Sequence, residues 1–158
     1  MLVLDAIIED PAGATRRHHR DPTTGRWVTR RHPHTASPWP ANYGFIPGTP
    51  NPADGDDLDV LVLASDPLPT GSRVCVRVVG LLHRPDGDHK VLAVRDGDPL
   101  YAGVADLTSV PDADIARITA WFRDWTEPGT WEDHAAAEGL IAACRAAGAQ
   151  SPGHTGSG

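Results

Sequence analysis

A chain of 158 residues, 40% of them apolar, can bury one substantial core and needs no second domain. Its net charge of −7 argues against general nucleic-acid binding, which draws most of its affinity from cations meeting phosphates. No apolar run approaches the roughly 20 residues of a membrane helix, so neither nucleic acid nor membrane is expected as a partner.

The first residues, MLVLDAIIED, lack a basic leader and a small-residue cleavage site, so residues 2–8 read as a strand and a cytoplasmic location is expected. Thr15 to Arg20 and Arg26 to Arg31 read as a hairpin around the turn Asp21-Pro22-Thr23-Thr24-Gly25. Six of the thirteen arginines fall between Arg16 and Arg31, against a single lysine, Lys90. Residues 32–53 are rich in Pro, His and Gly and read as loop around a short N-Y-G-F-I segment. Val60 to Leu63, Arg73 to Leu82 and Lys90 to Val94 alternate or run apolar as strands do.

Asp112 to Trp125 places Ile115, Ile118, Phe122 and Trp125 on one helical stripe. A second helix is expected from Trp131 to Ala147, with Thr130 and Asp133 near its start and Gly148 as its stop. Trp121, Trp125 and Trp131 read as helix packing. Residues 149–158 have nothing apolar to bury and read as a disordered tail after a single domain spanning 1–148. The two cysteines, Cys75 and Cys144, are too few for a disulfide framework and not spaced for zinc, so both are expected as reduced core residues.

The stretch with the most chemical content is Pro40 to Leu63, PANYGFIPGTPNPADGDDLDVLVL. Asp54, Asp56, Asp57 and Asp59 crowd into six residues that run into a buried strand, with Gly55 permitting an unusual turn. Anions this close repel one another, and a divalent cation held by oxygen ligands would offset the repulsion. Magnesium is the default among such cations, because it takes one or two carboxylates and completes its shell with water and phosphate. Taken alone, Asp-Gly-Asp is a solvated turn, and it recurs at 86–88 and 96–98. An EF-hand is excluded, since Gly55 is second and Ser65 twelfth where that loop needs glycine sixth and glutamate twelfth. The histidines His18, His19, His32 and His34 show no zinc-ligand spacing and read as surface or phosphate-facing imidazoles.

W-P-A-N-Y-G-F-I (Trp39 to Ile46) followed by D-G-D-D-L-D-V (Asp54 to Val60) resembles the paired signature of the soluble family I inorganic pyrophosphatases, and the likeness runs from about Leu4 to about Ala147. The resemblance implies an α+β, mainly β fold, an OB-like five-stranded closed barrel with two C-terminal helices. It also implies magnesium-dependent hydrolysis of pyrophosphate by a homo-oligomer, commonly a hexamer in bacterial members. Position by position, Asp54, Asp59 and Asp88 match the carboxylates that hold the first magnesium. Asp86 with Asp88 matches the pair for the magnesium arriving with substrate, and Glu9 matches the first-strand glutamate. Asp56 matches the general base. Arg17, Arg31, Tyr43, Lys90, Phe122 and Arg123 match the phosphate contacts.

Several positions depart from the family pattern. His19 stands where it has a glutamate, Trp39 where it has a tyrosine, and Phe122 lacks a tyrosine hydroxyl. The 86–90 loop is shorter by about three residues. Two alternatives stay open on these grounds, a paralogue acting on another phosphate compound and a binding module that keeps the metal and phosphate pocket without turnover.

Overall fold

The computed structural model describes residues 1–150. Its strands are β1 (Val3–Asp10), β2 (Arg17–Arg20), β3 (Trp27–Arg30), β4 (Asn42–Pro50), β5 (Asp57–Leu63), β6 (Arg73–His83), β7 (Lys90–Arg95) and β8 (Thr130–Asp133), and its helices are α1 (Asp112–Arg123) and α2 (His134–Ala149). The main sheet runs β1-β4-β5-β7-β6-β8, and a further pairing of β1 with β6 closes its first five strands into a barrel, leaving β8 appended to β6. The expected five-stranded OB-like barrel with two helices is therefore what the chain forms.

Strands β5 and β7 explain why two cores exist. They pair in parallel, from Asp59 opposite Lys90 to Leu63 opposite Val94. Parallel strands covered on both faces read as continuous apolar runs, and VLVL and VLAV are such runs. One set of side chains, including Leu58, Val60, Val62, Val91 and Ala93, joins Leu4, Ala6 and Ile8 of β1, and α2 lays Ala137, Ile141 and Cys144 against them. The other set, Leu61, Leu63, Leu92 and Val94, packs with Trp39, Tyr43, Ile118, Trp121 and Phe122, so α1 and the 39–43 segment cover that face. The acid-bearing end of β5 is thus anchored on both sides.

Polar side chains tie the loops to this frame. Asn42, 1% exposed, accepts from the backbone of Ala12 and Leu68 and donates to the Val62 carbonyl at 3.1 Å, joining three segments. Arg77 donates to the carbonyls of Val104 and Tyr101 and fixes the connection that leads to α1.

The structure corrects four expectations. Residues 42–50 are strand β4, where only a short segment inside a loop was expected. Thr130–Asp133 is an edge strand on β6, not the start of the last helix. That helix begins at His134, with the Asp133 carboxylate accepting from the Ala136 backbone, and it continues through Gly148 to Ala149. Cys75 is exposed while Cys144 is buried, so only the second behaves as a core residue. The tail expected to be disordered lies, from residue 151 onward, outside the described residues. Among the described residues no helix is long and apolar enough to cross a membrane.

Gly44 is a close-approach glycine. It faces Ile8 across β1 and β4, and a Cβ there would lie 1.9 Å from the Ile7 carbonyl oxygen. Gly139, inside α2, has nothing within 4 Å of the same added atom. Gly44→Ala should lower the melting temperature by roughly 6–12 °C, equivalent to about 3 kcal/mol. Gly139→Ala should raise stability by about 0.5–1 kcal/mol, since alanine orders less backbone freedom in a helix. Differential scanning calorimetry of the two variants checks both signs.

Candidate active site

Two Asp-Gly-Asp turns of the same construction face one cleft. In each, the first aspartate accepts a hydrogen bond from the third residue's backbone N–H, Asp54 from Asp56 at 2.9 Å and Asp86 from Asp88 at 3.0 Å. The intervening Gly55 and Gly87 sit at φ +80° and +82°, where a side chain would be strained. Asn51 locks the two turns together. Its side chain donates to the Gly87 carbonyl at 3.0 Å and accepts from Ala53 at 3.1 Å. The third turn of this sequence, 96–98, is structural, because the Asp98 carboxylate accepts from the backbone and hydroxyl of Ser65 and from Leu100.

Between the turns stands Lys90, 5% exposed. The β5–β7 register sets it opposite Asp59, and its ammonium lies 2.6 Å from Asp59 Oδ2, 3.1 Å from Asp88 Oδ2 and 3.1 Å from the Tyr43 hydroxyl. A compact ammonium with three donors suits three oxygen partners in different directions. Trp39 holds the Tyr43 ring in place, with centroids 4.4 Å apart, and stacks at 4.6 Å on Trp121 of α1. The tryptophan that departs from the family tyrosine is thus a packing element of the cleft wall itself.

The cleft has a volume of about 540 Å³, and its walls include Glu9, Arg17, Tyr43, Asp54, Asp56, Asp59, Asp86, Asp88, Lys90 and Phe122. Ten of the twelve residues expected at the site are therefore brought together. The other two are not. Arg31 lines a neighbouring depression that shares His32 and His34 with the cleft. Arg123 is exposed at the end of α1 and is not part of the cleft wall. His32 and His34, read as surface or phosphate-facing, stand on the cleft wall, while Arg84, Asn51, Thr126 and the rings of Trp121 and Trp125 belong to the surroundings and were missed from sequence. Arg84 offered one signal, an isolated cation two residues before the second acidic turn. The tryptophans offered none, because a helical stripe of aromatics reads as core until the cleft beside it is known.

The acids outnumber the cations, and the titration of the site reflects it. Burial, then the charges of Asp59 and Asp10, push the Glu9 carboxyl up to about 7, with Arg17 opposing. Burial also raises Asp59, with Lys90 working against it, and raises Asp54. The Tyr43 hydroxyl is held well above its ordinary value by burial and Asp59, so it stays protonated. Burial and Arg17 press His32 down to about 4, leaving a neutral ring near neutral pH.

Among the described residues no three ligating side chains stand together as a ready-made cage, since Lys90 bridges Asp59 and Asp88. The donor set still fits a hard cation. The acidic side chains on the wall are oxygen donors, they carry charge that the protein's own cations do not balance, and magnesium needs only one or two carboxylates. Asp54, Asp59, Asp86 and Asp88 are the residues that would hold it.

A closed barrel bearing a carboxylate cleft with Arg17 and Lys90 on its walls has the make-up of a site for a phosphate-bearing substrate. Comparison with known proteins makes this specific. The sequence model of the inorganic pyrophosphatase family matches residues 6–148. An inorganic pyrophosphatase of Leifsonia xyli subsp. xyli is 37% identical over 155 residues, covering 90% of this chain and 94% of that one. One of Halalkalibacterium halodurans is 34% identical over 152 residues, covering 90% and 93%. The crystal structure of the Thermus thermophilus inorganic pyrophosphatase superposes with a TM-score of 0.81 at 35% identity, covering 92% of this chain and 91% of that one. The chain belongs to the inorganic pyrophosphatase family.

The raised Glu9 carboxyl has a consequence for metal-free protein. The folded state keeps a proton that the unfolded state gives up between about 4.5 and 7, so the stability linked to Glu9 is full below that window and is lost as pH rises through it. With chelator present, Glu9→Gln should match the parent near pH 4 and exceed it near pH 8, by on the order of 2 kcal/mol. Thermal melts at the two pH values check this, and parallel pH profiles for the two proteins would show that Glu9 is not perturbed.

Proposed function

We propose that this chain hydrolyses inorganic pyrophosphate to two phosphates, with magnesium as its cofactor. The observation that carries the reading is the pair of acidic turns, joined through Asn51 and Gly87, standing in one cleft with Arg17 and Lys90. Family membership supports the same activity.

Bound by Asp54, Asp59, Asp86 and Asp88, with Glu9 nearby, magnesium would supply Lewis acidity, lowering the pKa of water and offsetting charge on the phosphates. The protein's own groups do the rest. Asp56, exposed at the tip of the first turn, takes a proton from the attacking water as its oxygen bonds to phosphorus. The bridging P–O bond breaks, and the electron pair leaves on the second phosphate. Arg17 and Lys90 face that developing charge from the cleft wall, and fixed cations of this kind stabilise the transition state without reorganising. Tyr43, kept protonated, donates its hydroxyl hydrogen. Phe122 shapes the wall without a polar contact of its own, and Arg31 and Arg123 stand outside it as longer-range cations. A homo-oligomer in the cytoplasm is proposed by family likeness.

One observation favours a second reading, action on a phosphoanhydride that carries a planar organic group. The His34 ring lies flat on Trp125, 4.8 Å between centroids and 7° from parallel, at the edge of the cleft. Stacked rings of this kind offer a face to a heterocycle.

Phosphate release from pyrophosphate, with magnesium and with chelator, tests the proposal on the parent and on Asp56→Asn. The expected result is release only with magnesium, reduced by about 10²–10⁴-fold in the variant, the range a positioned base contributes. Folded parent protein that releases no more phosphate than the variant would contradict it. Faster release from a nucleoside triphosphate than from pyrophosphate would select the second reading.

A further inference from the structure

We propose that Arg84 is a phosphate-binding residue, a third cation of the cleft that meets the substrate on the side where Phe122 offers no hydroxyl. The proposal rests on the pyrophosphate reading of the cleft and assigns a residue that the family motifs do not.

Arg84 follows directly on β6 and lines the cleft while remaining only 4% exposed. Its guanidinium is clamped. The Cζ atom lies 4.9 Å from the Phe122 ring centroid and 5.6 Å from that of Trp125, and Nη2 donates to Thr126 Oγ1 at 3.2 Å. These contacts fix the plane of the fork without using most of its five N–H donors. Among the described residues Nε is buried with no hydrogen-bond partner. The nearest acid, Asp86, is 3.7 Å away and 60% exposed, too far for a hydrogen bond and too wet to neutralise the charge.

A buried guanidinium held rigid, with one exposed counter-anion at 3.7 Å and unused donors, is poorly compensated in the isolated protein. A polyanion entering the cleft supplies the compensation, because phosphate oxygens accept from a planar fork in pairs. The Phe122 and Trp125 rings, 5.9 Å apart, flank the guanidinium from one side and keep water from that side, which strengthens the attraction. The position also fits the chain's own departures. Phe122 removes a hydroxyl from this wall. The ring of Phe122 becomes the platform on which Arg84 lies.

A purely structural role, a strut between β6 and the end of α1, is the competing account, and Arg84→Met separates the two. Methionine keeps apolar contact with Phe122 and Trp125 and removes the charge and donors. Two readouts are taken on the parent, Arg84→Met and Arg84→Lys: KM and kcat for magnesium pyrophosphate, and the affinity for the non-hydrolysable analogue imidodiphosphate by calorimetry. The expected result is a melting temperature for Arg84→Met close to the parent's, with KM raised and imidodiphosphate affinity lowered at least tenfold. Arg84→Lys should recover part of both. Unchanged KM and unchanged imidodiphosphate affinity in a folded Arg84→Met would overturn the proposal, as would a melting temperature that falls with both parameters unmoved. The two hypotheses fail differently: an inactive parent refutes the hydrolytic reading while imidodiphosphate binding still reports on Arg84.

Discussion

The register of one parallel strand pair sets the geometry of this protein. β5 and β7 place Asp59 opposite Lys90, and the 2.6 Å contact between their side chains lies where two buried strands emerge into the cleft. Each strand is preceded by an acidic turn, so fixing the register fixes both turns relative to each other. A slip of one residue would send Asp59 and Lys90 to opposite faces and disperse the site, because side chains alternate along a strand. The double burial of VLVL and VLAV makes such a slip costly. The site's precision thus originates in hydrophobic packing that lies below it.

Above that frame, the cleft is a balance of charge that the protein leaves incomplete. Burial and mutual repulsion raise Glu9, Asp54 and Asp59, which means that the folded chain holds carboxylates it would relax by protonation or by binding cations. Lys90 gives partial relief by bridging Asp59 and Asp88. Beside the second acidic turn, Arg84 has one exposed acid, Asp86, at 3.7 Å and a buried Nε without an acceptor among the described residues. Excess carboxylates and a guanidinium with unused donors in one cleft are the charges that the proposed metal and phosphate would meet.

Much of this was legible in the sequence where a local rule decides the outcome. The apolar runs of β5 and β7 and the alternation of β6 mark buried strands, and Asp-Gly-Asp marks tight turns at 54–56 and 86–88. What sequence could not supply was non-local. Residues 47–50 join β4 only because the chain meets Asp57 across a bulge, and Thr130–Asp133 becomes a strand only because β6 leaves an edge for it. Trp121 and Trp125 satisfy a helical stripe and also wall the cleft, two roles that one periodicity cannot tell apart. The same limit applies to the cations. Arg17 and Lys90 follow from motif position, whereas Arg84 enters the cleft because Phe122 and Trp125 provide a flat bed for it, a tertiary coincidence invisible to spacing.

The carboxylates gathered by the β5–β7 pairing are proposed here to form one cation site. Calorimetric titration of magnesium into chelator-treated protein, comparing the parent with Asp59→Asn, addresses it most directly. The account predicts saturable binding to the parent and binding at least about tenfold weaker to the variant, since the lost carboxylate is one of the few protein ligands that magnesium takes. Identical isotherms for the two folded proteins would contradict it, and would place any bound magnesium elsewhere on this acidic chain.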